Sequence, residues 1–321
     1  MKDLGKTPGI VEEVGPEAEE QRIDNFLLRR FKGVPKSHVY RVLRTGQVRV
    51  NSRRVGPEYR LKPGDRVRLP PVRRADRTAA SGPVRGLDLW RRAVHEDDAL
   101  AVIDKPAGVA SHGGSGVSHG LIESLRARRP DLRYLELVHR LDKETSGLIL
   151  VAKQRNALTA LHAQLRAGSV EKSYLALVRG PWQARDATVS LPLLKHLNRA
   201  GERHVSVHRD GQRAETVFEA VRRYRDLTLM RARLLTGRTH QIRVHLAHLG
   251  HPIAGDEKYG DFAWNRDLAR RGLKRMFLHA ERLAFEHPRS GERMELRAPL
   301  PDDLAGFLDR LEAGAPAAAA V

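Results

Sequence analysis

Apolar positions in the first part of the chain recur at helical spacing and then at strand spacing. A first helix is predicted from residues three and four positions apart, namely Ile23, Phe26, Leu27 and Phe31. A second helix is predicted to open at Pro35 and to close at Gly46. Short strand-like pieces, at residues 48–50, 53–55 and 67–69, alternate with turn residues. The pattern predicts a small, compact α/β unit over residues 21–70.

A longer and less regular series of elements follows. Apolar runs predict strands at residues 100–103, 148–151, 174–178, 216–221 and 227–234. Amphipathic spacing predicts helices at residues 121–128 and 157–166. Because helices and strands alternate irregularly and hairpin signals are present, an α+β domain around a mixed, largely antiparallel sheet is favoured over a doubly wound one. This larger domain is predicted to span residues 91–302.

The segments outside these two units have compositions that do not build a core. Residues 1–20 are polar, and we expect them to be disordered. Residues 71–90 contain proline, glycine and arginine and are predicted to form a basic linker. Residues 303–321 end in an alanine-rich stretch and are expected to form a C-terminal tail.

The chain carries a large excess of positive charge. Its 321 residues include 58 Lys and Arg against 39 Asp and Glu, which gives a formal net charge of +19. Such a balance is typical of nucleic-acid binders, although a basic protein with solvated charges is the alternative. In the small unit, the residues expected to contact RNA are Arg41, Arg44, Arg49, Arg53 and Arg54. The alternative for this unit is a basic cap on the larger domain.

Several function classes are disfavoured by what the sequence lacks. There is no cysteine, which excludes thiolate catalysis, disulfides and cysteine-bound zinc. No P-loop is present, so we expect no nucleotide cofactor. A zinc site built from His240, His245, His248 and His251 lacks a completing carboxylate or cysteine at the usual spacing, so no metal is expected. Neither a signal-peptide core nor an 18-residue apolar run is found, and we expect a cytoplasmic monomer with no membrane partner.

The most informative segment is the string HRLDKETSGLIL, at residues 139–150. In it, Asp142 lies between the cation Arg140 and a turn sequence that leads into a predicted strand. An aspartate in such a place usually caps a turn or pairs with a cation. The full string, however, resembles the signature of the RluA-type pseudouridine synthases, and this resemblance implies that Asp142 is the catalytic residue.

Three further segments are similar to the same family. They are EKSY at residues 171–174, TGRTHQIRVH at 236–245 and FLHA at 277–280, and their order and spacing match across residues 93–300. The small unit in front, the HGGSG loop and the string ELVHRLD resemble the RluC-like branch, which modifies uridines in large-subunit (23S) ribosomal RNA. The resemblance implies that Arg140 enters the RNA stack, that Tyr174 stacks on the flipped uracil and that Arg238 pairs with Asp142.

The small unit has its own resemblance. Residues 34–55, VPKSHVYRVLRTGQVRVNSRRV, are similar to a small RNA-binding module shared by a ribosomal small-subunit protein, some tRNA synthetases and heat-shock RNA-binding proteins. This implies that the unit supplies RNA affinity rather than chemistry.

The expected reaction is consistent with the lack of nucleotide-binding and metal-binding motifs in the sequence. Pseudouridine formation exchanges a carbon–nitrogen bond for a carbon–carbon bond and needs neither redox change nor energy input, but the base must be flipped out of the RNA. Asp142 can attack uracil carbon 6, attack the anomeric carbon, or remove a ribose proton, and the sequence leaves these routes open. Two rival hypotheses are another RNA target, such as tRNA or another ribosomal helix, and a non-catalytic ribosome-assembly factor. The presence of Asp142, Tyr174 and Arg238 together argues against the assembly factor.

Overall fold

The computed structural model describes residues 10–31, 36–70, 87–113, 120–183, 186–197 and 203–313. The chain divides into two compact units, residues 1–80 and 81–321. Most of the predicted linker, residues 71–86, lies outside the described residues. Its last residues enter a short 3-10 helix, Leu89–Arg92, in which Leu89 is buried against the larger core. That end of the predicted linker is therefore part of the folded second unit.

The small unit combines two helices with a short sheet. Its elements are β1 (Ile10–Glu13), α1 (Ile23–Arg30), α2 (Lys36–Arg44), β2 (Arg49–Val50) and β3 (Arg66–Leu69). The three strands lie in the antiparallel order β1-β3-β2. One face of α1, with Ile23 and Leu27, packs into a core with Val39 of α2 and Val67 of β3.

Two predictions for this unit are wrong. Residues 10–20 are ordered, because β1 pairs with β3 and the Val14 amide donates to the Asp65 carbonyl, while Val14 and Ala18 enter the core. The predicted strand at 53–55 is reduced to a single bridge between Val50 and Arg53. The intervening Asn51 and Ser52 both have positive φ and form a tight two-residue turn, but residues 54 and 55 do not continue the pairing.

The second unit contains the remaining helices and strands. The first of them are β4 (Ala93–Glu96), β5 (Leu100–Lys105), α3 (Leu121–Arg128), β6 (Glu136–Leu137), β7 (Ser146–Ala152), α4 (Arg155–Ala167), β8 (Glu171–Arg179) and β9 (Asp186–Ser190). They are followed by β10 (Leu193–Leu197), β11 (Arg203–Val207), β12 (Glu215–Arg223), β13 (Leu227–Leu234), α5 (Gln241–His248), α6 (Phe262–Arg270), β14 (Leu278–Glu286), β15 (Arg293–Arg297) and α7 (Asp302–Ala313).

A ten-stranded sheet organises this unit. Its main path runs β4-β5-β7-β14-β8-β13-β12-β9, with β15 on β14 and β6 on β7. Among the strands that the structure describes, β7 and β14 are the one pair that runs in parallel, so the predicted mixed, largely antiparallel α+β fold is confirmed. Strand β7 is buried along its whole length, as expected of a continuous apolar run in the middle of a sheet. The hairpin β10–β11 forms a separate two-stranded ribbon.

The sheet is covered on both faces by apolar clusters. One cluster joins Leu125 of α3 and Ile242 of α5 to the sheet, and another packs Leu161 of α4 against Leu150 of β7. Helix α7 buries Leu304 and Phe307 in a third cluster. The prediction of a tail from residue 303 is therefore wrong as far as Ala313, because the helix supplies core side chains. Residues 314–321 lie outside the described residues.

No helix in the described part of the chain is both long enough and apolar enough to span a bilayer.

Candidate active site

A cavity of about 780 Å³ opens on one side of the second unit. Four segments line most of it: residues 139–145 before β7, residues 165–168 at the end of α4, the first residues of β8, and residues 234–243 around the start of α5. Lys195, Arg213, Glu215 and Leu278 complete the lining. Asp142, Arg140, Tyr174 and Arg238 all line it, although 96 residues separate Asp142 from Arg238 in sequence. The structure thus brings the sequence-predicted catalytic and substrate-binding residues together in one place.

The turn that carries Asp142 is fastened to the segment after β5. The Leu141 amide donates to Oγ of Ser111, and that hydroxyl donates to the Leu141 carbonyl at 2.6 Å. The Gly108 amide and Nζ of the fully buried Lys105 both donate to the Lys143 carbonyl. Backbone atoms on both sides of Asp142 are therefore held, so its carboxylate is presented to the cavity from a rigid turn.

A close approach of two strands fixes where that turn ends. Gly147, at the start of β7, has φ +107, and a Cβ built on it lies 2.3 Å from the Ala280 carbonyl oxygen of β14. Only glycine permits both the backbone angle and this parallel pairing. The glycine of the HRLDKETSG string is thus needed to seat the turn against β14.

Asp142 is held by an arginine that is itself anchored. Nη1 of Arg243 donates to Oδ2 of Asp142 at 2.9 Å, and Nε and Nη2 of the same guanidinium donate to both carboxylate oxygens of Asp256. Asp256 is 1% exposed and also accepts from the amides of Lys258 and Tyr259. Burial disfavours the charged guanidinium, but hydrogen bonds and charge from Asp256, and then from Asp142, raise the pKa of Arg243 above its ordinary value.

The prediction that Arg238 pairs with Asp142 is wrong. Arg238 is exposed, and its Nε donates to the Arg213 carbonyl instead. Its position explains the difference, since residue 238 lies in the loop before α5, whereas Arg243 lies in the first turn of that helix and faces inward. Arg238 keeps a place on the cavity wall, from which contact with a bound substrate stays a prediction.

Tyr174 presents its ring to the cavity from β8. Its cross-strand partners are Ala232 and Ala280, and these small side chains leave space beside the ring. No described residue bonds its hydroxyl, although the residue is only 7% exposed. Burial, and secondarily the negative charge of Asp142, raise the pKa of Tyr174, so the phenol is held in its protonated form.

A histidine–tyrosine pair borders Asp142. Nε2 of His240 lies 3.7 Å from Oδ1 of Asp142, and Nδ1 is 2.7 Å from the Tyr259 hydroxyl. That hydroxyl already accepts from the Val205 amide, so donation of its own proton to Nδ1 favours the tautomer whose N–H faces Asp142. Burial lowers the pKa of His240 to about 4. The residue also has φ 55, a left-handed conformation of the kind concentrated at functional sites.

Sequence reasoning missed three residues of this site: Arg243, His240 and Tyr259. His240 and Arg243 belong to the recognised string at residues 236–245, in which His240 directly precedes α5 and Arg243 lies in the first turn of that helix. Tyr259 has no such signal, because residues 255–259 approach the cavity only through tertiary packing.

Exposed cations surround the mouth of the cavity. They are Arg140, Arg166, Lys195, Arg213 and Arg238. The exposed side chain of Arg140 makes no hydrogen bond or ion pair with any residue that the structure describes, so it is available to a ligand. This arrangement places positive charge around the entrance and a carboxylate at the wall, which suits a polyanion that inserts one group into the cavity.

The small unit carries part of the predicted RNA-contacting set on its surface. Arg44, Arg53 and Arg54 are exposed, and no described carboxylate pairs with them. Arg49 is half-buried and donates to the carbonyls of Gly46 and Ser52. The side chain of Arg41 lies outside the described ones. The exposed arginines are free to bind phosphate, whereas the guanidinium of Arg49 already donates to two backbone carbonyls of the small unit.

The histidines considered for zinc do not converge. His245 lies between the Thr216 hydroxyl and the Leu191 carbonyl, and Nδ1 of His251 meets the Arg179 carbonyl. Among the described residues, no group of three or more His, Cys, Asp and Glu side chains is placed to hold a metal ion.

Comparison with known families matches both units. Residues 99–248 match the family described as RNA pseudouridylate synthase, and residues 21–67 match the S4 domain. The first match contains the turn of Asp142, strand β8 and helix α5. The second covers nearly all of the predicted RNA-binding module.

Curated relatives align along most of the chain. "Ribosomal large subunit pseudouridine synthase C" of Escherichia coli (strain K12) is 52% identical over 296 residues, which cover 91% of this chain and 93% of the relative. The protein of the same name from Yersinia pestis is 54% identical over 288 residues, with 88% and 90% covered.

Solved structures share the fold of a large part of the chain. "Human RNA Pseudouridylate Synthase Domain Containing 4" gives a TM-score of 0.57 at 26% identity, covering 70% of this chain and 94% of that one. "Human RNA Pseudouridylate Synthase Domain Containing 1" gives 0.56 at 26% identity, covering 67% and 86%.

Proposed function

The chain belongs to the RNA pseudouridylate synthase family and carries an S4 domain, and from that premise we propose that it isomerises specific uridines of large-subunit ribosomal RNA to pseudouridine. The observation that carries this proposal is the carboxylate of Asp142 in a cavity that Tyr174 also lines, with Arg243 bonded to its Oδ2. The names and high identity of the curated relatives support the large ribosomal subunit as the source of the RNA.

The target uridine must leave the RNA stack before it can reach Asp142. Extrusion of a base costs a few kcal/mol, and an aromatic stacking face returns about 1–3 kcal/mol. In this proposal Tyr174 supplies that face inside the cavity. Arg140, exposed at the mouth and without a described partner, occupies the space that the base leaves in the stack.

Asp142 performs the covalent chemistry in this proposal. One of its oxygens is bonded by Arg243, so the carboxylate is oriented and the other oxygen, Oδ1, is available to the substrate. Acting as nucleophile or as base, it starts the exchange of the bond between uracil nitrogen 1 and ribose carbon 1′ for a bond from uracil carbon 5. The proton leaves carbon 5 and nitrogen 1 gains one, so the product is an isomer of the substrate.

The two units divide the work. Exposed arginines of the small unit and the cations around the cavity mouth contribute phosphate contacts, which give affinity but little sequence information. The walls of the cavity then admit only a base that has been extruded. A non-catalytic assembly factor would only need to bind RNA. It would not need a cavity in which Asp142 is oriented by Arg243 and the Tyr174 hydroxyl is left without a described partner.

Pseudouridine mapping of ribosomal RNA tests the proposal directly. RNA from cells with and without this protein is compared, and purified protein is added back to the unmodified RNA. We expect discrete large-subunit positions to lose pseudouridine and to regain it on addition of the protein. Unchanged ribosomal RNA together with altered tRNA would redirect the proposal to a tRNA target, and unchanged RNA of every class would refute it.

A further inference from the structure

The ammonium group of Lys172 lines the cavity and has no partner among the described residues. Lys172 lies two residues before Tyr174 on β8, so the two side chains share one face of the strand. Both line the cavity. Its backbone pairs with β13 and β14, but no hydrogen bond or ion pair joins its ammonium group to any residue that the structure describes. The neighbouring Glu171, in contrast, bonds two arginines.

The surroundings of this ammonium group are poor in counter-charge. Its cross-strand neighbour on β13 is Leu234, and its Nζ lies 3.6 Å from a Cβ built on Gly237. Burial alone lowers the pKa of Lys172, and no carboxylate opposes that shift. Burial of an ammonium group without a partner costs free energy. A partner that the substrate supplies would offset this cost, and this explains why the lysine lies in the cavity.

Its depth distinguishes Lys172 from the cations at the mouth of the cavity, and the lack of a described carboxylate partner distinguishes it from the buried Arg243. Arg140, Arg166, Lys195, Arg213 and Arg238 are exposed at the mouth, where phosphates can keep part of their hydration. Lys172 is half-buried and shares the strand face of Tyr174, the residue assigned to stack on the base. Its position is therefore better suited to the inserted base than to the RNA backbone.

We propose that Lys172 is a further catalytic residue, whose ammonium group binds a carbonyl oxygen of the flipped uracil and stabilises the negative charge that develops there. This inference rests on the proposed function and deepens it. Rupture of the bond between nitrogen 1 and carbon 1′ leaves its electron pair on uracil, shared between nitrogen 1 and the carbonyl oxygens. The charge is consumed when carbon 5 bonds to carbon 1′. Attack of Asp142 on carbon 6 also shifts electrons toward the carbonyl oxygen at carbon 4, so all three routes for Asp142 use this stabilisation.

The test compares two RNA substrates whose target bases differ in how well they stabilise a negative charge on the pyrimidine ring. RNA with uridine at the target position is set against the same RNA with 5-fluorouridine, whose ring is a more stable anion because fluorine withdraws electrons. Single-turnover loss of the target nucleotide is measured for wild type, Lys172→Met and Lys172→Arg. Arg166→Met serves as the matched control, since it removes a cation from the cavity mouth.

With uridine, Lys172→Met should lower the saturating rate by roughly 100-fold. With 5-fluorouridine the loss should be about tenfold or less, and Lys172→Arg should retain much of the rate with both substrates. Arg166→Met should raise the half-saturating RNA concentration equally for both. Melting temperatures show whether each variant folds, and Lys172→Gln replaces the Met variant if that one does not.

Equal losses on the two substrates, or a loss confined to the half-saturating concentration, would overturn the assignment and make Lys172 a phosphate ligand. That outcome leaves the proposed function intact, because wild type still forms pseudouridine. Failure of wild type to modify any RNA would instead remove the proposed function itself.

Discussion

Nη1 of Arg243 lies 2.9 Å from Oδ2 of Asp142, across 101 residues of sequence. The same guanidinium is clamped by Asp256, which is almost completely buried. The orientation of Asp142 therefore depends on a carboxylate that never reaches the cavity. Because Asp142 and Asp256 share the guanidinium of Arg243, a side chain with a single donor group at position 243 cannot bond both carboxylates.

Replacement of Arg243 should damage both chemistry and folding. Arg243→Gln leaves Asp256 buried and unpaired, which typically costs about 3–5 kcal/mol of unfolding free energy. Arg243→Lys keeps the charge but cannot reproduce the forked contact, and we expect it to fold with kcat lowered by roughly 100-fold. Chemical denaturation and single-turnover assays check the two effects.

Arg238→Lys is the matched control for that experiment. It changes a neighbouring arginine whose guanidinium meets a backbone carbonyl rather than Asp142. We expect a small effect on kcat, with any change confined to substrate affinity. A larger loss of kcat in Arg238→Lys than in Arg243→Lys would show that the pairing in the active complex differs from the one described.

Substitutions of Tyr174 should separate stacking from the hydroxyl. Tyr174→Phe keeps the aromatic face and should keep most of the RNA affinity, while any step that uses the phenol proton is lost. Tyr174→Ala removes the face as well and should weaken productive binding by about 1–3 kcal/mol. Turnover and RNA affinity are measured for each. An alanine variant with wild-type turnover would make Tyr174 a packing residue only.

The stability of the protein should fall in mild acid partly because of His240. Burial lowers its pKa from 6.5 to about 4 in the folded chain, so the unfolded chain takes up the proton first as the pH drops. The contribution of His240 is therefore complete above about pH 6.5 and is lost between pH 6.5 and 4. His240→Asn, which tolerates the left-handed backbone, should lose less stability over this window.

Denaturant unfolding of wild type and His240→Asn at several pH values checks this. The difference in unfolding free energy between the two proteins should be constant above pH 6.5 and should change progressively below it. Parallel curves down to pH 4 would mean that His240 does not titrate differently in the two states.

The exposed arginines of the small unit should set the salt dependence of RNA binding. Replacing Arg44, Arg53 and Arg54 by Gln removes up to three phosphate contacts. The slope of log affinity against log salt should then become shallower by about 2 to 3. The measurement is RNA affinity across a salt series for the full-length protein.

A second triple variant is the control for charge alone. It carries Gln at Arg22, Arg30 and Arg60, which lie in the same unit and pair with Asp24, Glu12 and Glu20. It makes the same change in net charge but removes cations that are already neutralised. Equal changes of slope in both variants would argue against the assigned contact surface.

The sequence could predict elements with strong local patterns. Helix α3 has the predicted bounds, Leu121–Arg128, because its apolar spacing is regular. Strand β1 was missed because a short polar-flanked segment becomes ordered only through a distant partner, here β3. Helix α7 was missed although Leu304, Phe307 and Leu308 have helical spacing, because its alanine-rich end led the whole segment to be interpreted as a tail.

The candidate active site, like the fold, could be predicted from the sequence only in part. The recognised strings led to Asp142 and Tyr174, and the structure places both on the wall of one cavity. Choosing between Arg238 and Arg243 required knowing where α5 begins, because one turn of helix decides which side chain faces inward. Tyr259 and Asp256 lie on a loop that only tertiary packing brings to the cavity.

The central claim is that Asp142 carries out the chemistry, and turnover of Asp142→Asn tests it most directly. Asparagine keeps the shape and an acceptor for Arg243 but is neither a nucleophile nor a base. Release of tritium from RNA labelled at uracil carbon 5 is measured together with thermal melting and RNA affinity. We predict a folded protein that binds RNA nearly as well as wild type, with release lowered by at least roughly 100-fold. Appreciable release from a well-folded Asn variant would contradict the account.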